Sequence, residues 1–125
     1  MHHHSTTPIA PSGVLTSLYD TGQQWDHPNA WAPLQHMLIS GLRGSGVAEG
    51  EALAASLASC WIKNNFEGFR ATGHMHEKYS AVRTGQAGGG GEYAPQVGFG
   101  WTNGVFLDLL RIYPDQSGSW DCSDA

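Results

Sequence analysis

At 125 residues the chain has the length of one ordinary domain. Its formal charge of −5, from 11 acidic residues against 6 Lys and Arg, excludes a nucleic-acid or anionic-membrane partner, which requires a basic stripe. Only 14% of residues are charged, while there are 17 Gly and 5 Trp, a mixture that points to a neutral, polar ligand.

Residues 1–12 are expected to form a disordered N-terminal extension, 13–114 the folded segment and 115–125 a polar tail. The opening residues hold no apolar stretch of signal-peptide length, and no run of about 18 apolar residues could span a membrane. The first helix is predicted to begin after Pro28-Asn29, with Pro33 tolerated in its first turn. Trp31, Leu34, Leu38 and Leu42 follow at helical spacing, and Gly44 and Gly46 end it. The second starts near Val47 or Ala48. Leu53, Leu57, Trp61, Ile62, Phe66 and Phe69 trace its apolar stripe, and Gly73 stops it. This stripe covers more than half the circumference, so the helix needs neighbours on two sides. Cys60 lies within it and reads as a small buried hydrophobe. Cys122 lies in the polar tail, and the two form neither a framework nor a CxxC site. The third helix is predicted to open with Thr102 or Asn103 as N-cap, to carry Val105, Phe106, Leu109, Leu110 and Ile112, and to end before Pro114. No segment sustains period-2 alternation, so the expected class is all-α.

Between the second and third helices lies the run from Gly88 to Gly104. Its glycines loosen the backbone, and among them stand Glu92, Tyr93, Gln96, Phe99, Trp101 and Asn103. Aromatic faces cover the C–H side of a sugar ring, while carboxylates and amides serve its hydroxyls. The alternative is a solvated linker, but such linkers are Gly/Ser-rich and lack aromatics. Three helices and a structureless connection of about 25 residues make a poor independent domain. The pattern therefore predicts one piece of a larger helical protein, with apolar stripes facing absent helices and a tendency to self-associate.

Three motifs carry a family resemblance. Gly22 to Pro33, GQQWDHPNAWAP, matches the trehalase signature QWDxPNxWxP at every fixed position. His76 to Ser80, HEKYS, resembles the family's EKYD element, departing at Ser80 where Asp is common. Gly88 to Val105 resembles its glycine-rich lid and the helix that follows. They occur in the family's order, and the resemblance runs from about Gly13 to Tyr113.

The resemblance implies an inverting glycoside hydrolase that splits α,α-trehalose into two glucose molecules without a cofactor or metal. It also implies an (α/α)6 barrel, of which this chain would be an incomplete C-terminal part. Glu77 takes the family's general-base position and Glu92 its lid position against substrate. Gln24, Trp25 and Asp26 fall near the sugar-binding end, although Asp26 reads equally as a cap of the first helix. Lys78 would keep Glu77 ionised if the two charges approach. His74 and His76 beside Glu77 are a weak metal pattern. The family's catalytic aspartate, its arginines and its PGGRFxExYxWD signature have no counterpart here. The expected partners are therefore trehalose or glucose and the missing N-terminal part of the barrel, and the chain alone is expected to be inactive. The alternative is a non-catalytic helical sugar-binding remnant of the same family. By family analogy the protein would be secreted or membrane-anchored, but no visible feature assigns a compartment.

Overall fold

The computed structural model describes residues 7–116. Its elements in chain order are β1 (Ile9–Ala10), β2 (Gly13–Val14), β3 (Asn29–Trp31), α1 (Ala32–Arg43), α2 (Ala48–Thr72), β4 (Lys78–Ser80) and α3 (Gly100–Ile112). The fold is mostly helical but not all-α. β1 pairs with β2 and β3 with β4, both antiparallel. Strands of two or three residues are too short to show alternation, which is why the sequence pattern hides them.

The three helices fall close to their predicted spans. Pro33 sits in the first turn of α1, where its missing N–H would have had no intrahelical partner. Gly73 closes α2 at φ 75°, with its N–H donating to Phe69 O at 2.7 Å, the left-handed cap that glycine adopts without steric cost. The start of α3 differs from expectation. It begins at Gly100 behind Phe99 with no side-chain cap. The Thr102 hydroxyl, expected at the cap, is buried and donates to His76 O at 2.7 Å.

The folded segment also starts earlier than residue 13. The β1–β2 hairpin is held from outside: Gln35 accepts from Val14 N at 2.9 Å and donates to Val14 O at 2.7 Å. The Ser12 amide donates to Ala81 O at 2.7 Å, and its hydroxyl meets that of Thr84. With its backbone groups so partnered, residues 9–12 are not a disordered extension. Residues 1–6 and 117–125, the rest of the expected extension and most of the polar tail, lie outside the described residues.

α1 and α2 pack against each other and α3 packs against both. Ile39, Ala54, Leu57, Ala58, Trp61, Ile62 and Leu109 are buried between them, joined by Tyr79 of β4. Trp61 and Tyr79 meet edge to face with ring centroids 5.5 Å apart. Cys60 is buried as expected, but it is disulfide-bonded and not a thiol. The broad stripe of α2 is only half used. Phe66 and Phe69, 47% and 48% exposed, line an open apolar groove of about 490 Å³ with Met75, Asn103, Phe106 and Leu107. Among the described residues no helix is long and apolar enough to cross a membrane.

Candidate active site

The pairing of β3 with β4 joins two of the sequence motifs. Asn29 lies opposite Ser80, Ala30 opposite Tyr79 and Trp31 opposite Lys78. The PNAW stretch is thus hydrogen-bonded to the EKYS stretch. The other edge of this second motif holds the glycine-rich segment. Tyr79 bridges to Ala87, Gly88 N donates to Lys78 O at 3.0 Å, Glu77 N donates to Gln96 O at 2.9 Å, and His76 bridges to Val97. Only residues 89–95 leave the edge, rising as an arch. The long structureless connection expected from sequence is therefore rooted at both ends, because its flanks complete the ladder of β4.

Glu77 immediately precedes β4 and is 5% exposed. Its carboxylate accepts the Gln96 amide at 3.0 Å and, more loosely, the Tyr93 phenol at 3.5 Å. Its own carbonyl accepts from Trp101 Nε1 at 3.1 Å and Thr102 Oγ1 at 3.4 Å. The start of α3 thus fixes the backbone that carries Glu77. Tyr93's phenol is pushed above its ordinary value by desolvation and by the Glu77 charge.

Gln24 belongs to the loop before β3. Its carbonyl accepts from Lys78, while its side-chain oxygen is buried and meets no donor among the described residues. The arch reaches this loop through two glycines. Gly90 and Gly91 have φ of 80° and 83°, and Gly91 N donates to Gly22 O at 2.9 Å. A Cβ on Gly90 would stand 2.6 Å from Gly22 O, and one on Gly91 would stand 2.7 Å from Gln24 Cβ. Both conformation and space therefore require glycine. Glu92 follows directly and is exposed.

Trp25, 39% exposed, stacks on buried Trp31 at 4.0 Å between centroids, and Trp101 meets Trp31 edge to face at 5.6 Å. Asp26 does not cap α1, whose N-cap is Trp31 with no side-chain bond. Its carboxylate takes the Thr21 hydroxyl, and bonds from Thr21 and Ser17 hold it below the usual carboxylate range. Its carbonyl receives Asn29 N at 3.0 Å and Asn29 Nδ2 at 2.8 Å.

No ion pair closes between Glu77 and Lys78 among the described residues; alternation along the strand sends the two side chains apart. Lys78 is 1% exposed, and burial pulls its pKa below the ordinary lysine value while the Glu77 charge opposes the shift. Sequence reasoning also missed Asn29. This buried side chain accepts Gly89 N at 3.0 Å and thereby ties the arch to β3. Its place inside the PNAW motif was the one available signal. His76 is buried, its pKa lowered by desolvation and then by His74. No three His, Cys, Asp or Glu side chains gather into a metal-holding group among the described residues.

A family model described as Trehalase matches residues 1–114. The chain belongs to the trehalase family. It is 55% identical over 102 residues to a probable trehalase from Oryza sativa subsp. japonica, covering 82% of this chain and 18% of that one. It is 52% identical over 104 residues to the trehalase from Homo sapiens, covering 83% and 18%. Among solved structures it is similar to the neutral trehalase Nth1 from Saccharomyces cerevisiae, with a TM-score of 0.62 and 25% identity over 82% of this chain and 18% of that one. The chain thus spans about a fifth of the length of the trehalases it matches.

Proposed function

We propose that this chain supplies the general base and the lid of a trehalose-hydrolysing site, as part of an (α/α)6 barrel whose other helices lie in polypeptide outside it. Inversion requires a carboxylic acid to protonate the bridging oxygen and a carboxylate roughly 6.5–9.5 Å away to activate water on the opposite face. Glu77 is the carboxylate. Glu92 on the arch meets sugar hydroxyls, Trp25 offers its exposed ring to the C–H face of a glucose, and Gln24 presents an acceptor that lacks a donor. Asp26 shapes the same loop and faces the sugar end. The acid and the cationic side chains that hold glucose belong to the remaining four-fifths of the enzyme, so the chain alone does not turn over trehalose.

One observation carries this reading. The Glu77 carboxylate is pinned as an acceptor at the root of the arch that bears Glu92, and the crest of that arch packs on the Gln24–Trp25 loop. The exposed groove along Phe66 and Phe69 supports the barrel, because a toroid would seat a neighbouring helix there.

The test is a chimera in which this chain replaces the matching segment of the Oryza sativa relative. It should release glucose from trehalose, and Glu77→Gln should lower kcat about 10²–10⁴-fold, the span of a general acid or base, with KM little changed. The isolated 125-residue chain should release none. Turnover by neither chimera would favour the non-catalytic reading, equal turnover by both would remove Glu77 as the base, and glucose release by the chain alone would overturn its dependence on polypeptide outside it.

A further inference from the structure

We propose that Lys78 is a positioning residue, a buried ammonium that latches the QWD loop to the glycine-rich arch and so sets the spacing between their sugar-facing side chains. Its Nζ donates to Gln24 O at 2.9 Å and to Gly89 O at 2.7 Å, with Gly90 O at 3.5 Å. The same ammonium lies 5.2 Å from the centroid of the Trp31 ring, within cation–π range. Lysine ordinarily keeps its charged head in water and buries only its stem. Here the head is buried with no carboxylate in ion-pair contact among the described residues. A buried cation without a counter-ion persists only where oriented dipoles replace its hydration. Those dipoles are main-chain carbonyls of two separate loops, so the charge is satisfied only while the loops stay together.

The geometry around the stem agrees. A Cβ on Gly88 would stand 2.8 Å from Lys78 Cγ and 3.1 Å from its Cδ, so the arch rises directly against the methylenes. Trp31, under the ammonium, is also the ring on which Trp25 stacks. Lys78 therefore orders three features at once: the Gln24 backbone, the crest beside Glu92, and the indole pair. Neighbouring Glu77 holds the far root of the arch through Gln96, so two consecutive residues fix its two ends. That these loops face a sugar rests on the function proposed above; that Lys78 joins them does not.

The decisive measurement is amide hydrogen exchange on the 125-residue chain and its Lys78→Met variant, which keeps the stem and removes the charge. Gly89 and Gly91, whose amides donate to Asn29 Oδ1 and Gly22 O, should exchange at least about tenfold faster in the variant, while the interior of α2 stays within about twofold. Glycine amides that keep their protection, or α2 amides that quicken as much as they do, would overturn the proposal in favour of a merely structural lysine. Should the variant not fold, the unaltered chain decides. The Lys78 ammonium should show through-hydrogen-bond couplings to the carbonyl carbons of Gln24 and Gly89. Its protons should exchange at least tenfold more slowly than those of a free lysine side chain at the same pH. Absence of the couplings, or equal exchange, overturns it. Neither reading involves sugar, so failure here leaves the assignment of Glu77 intact, and failure of the chimera leaves the latch intact.

Discussion

The molecule has two halves built on different physics. In the helical half, α1, α2 and α3 gather around Trp61, Ile39 and Leu109, and cohesion comes from apolar burial. That half is unfinished: Phe66, Phe69 and Leu107 face outward at 47%, 48% and 66% exposure. In the ladder half, β3, β4 and the arch are held by directional bonds from buried Asn29, Asn64, Glu77 and Lys78 to main-chain atoms. That half is bonded to itself, with main-chain atoms of both loops and of β4 taking partners from one another and from these side chains. The contrast teaches that the loops of the candidate site are positioned locally, whereas the helices beside them leave an apolar face uncovered.

The sharpest way to break this contrast is Trp61→Ala. Trp61 is fully buried, packed on Tyr79 and against Gly13. Its truncation should cost about 3–5 kcal/mol in urea unfolding followed by circular dichroism. A loss of only ~0.5 kcal/mol, the size of a surface change, would mean the helical core contributes little. Next is Asn64→Ala. Asn64 donates to Ser12 O and Ser80 O, each at 2.9 Å, and accepts Gly85 N at 2.8 Å. Orphaning those groups should cost about 2–3 kcal/mol and should speed amide exchange at Gly85 before that in α2. Global loss with no such local signature would dissolve the distinction between the halves. The smallest change in stability is expected for Phe66→Ser with Phe69→Ser, within about 0.5 kcal/mol. The double variant should nonetheless sediment as a less associated species. A large stability loss would show that the groove is already packed in solution.

The second helix was legible because each turn repeats the same information: Leu57, Trp61 and Ile62 return to one face, and Gly73 marks an end. The stripe read on the first missed the face that is buried, Ala32, Gln35 and Ile39, and included the exposed Leu38. The ladders were not legible, since Asn29–Trp31 and Lys78–Ser80 are each too brief to carry a period and meet only through the tertiary fold. Glu77 was singled out through its motif alone, since a glutamate beside a lysine in sequence reads equally as a surface residue. Lys78 was read as that residue's charge partner, because adjacency in sequence was visible and strand alternation was not. The half-used stripe of α2 was anticipated from its breadth. The state of Cys60 was not, as spacing alone does not show whether a cysteine is bonded.

The rooting of residues 89–95 on one edge of β4 has a consequence for how this site can vary. Ring-closure entropy grows only logarithmically, with each doubling of a flexible segment adding about 0.6 kcal/mol. Because Gly88 and Gln96 are moored to consecutive residues of one short backbone stretch, extra length would accumulate at the summit without loosening the moorings. Insertions after Gly91, beyond the close approach of the two glycines to Gly22 and Gln24, would lengthen an exposed stretch at little thermodynamic penalty.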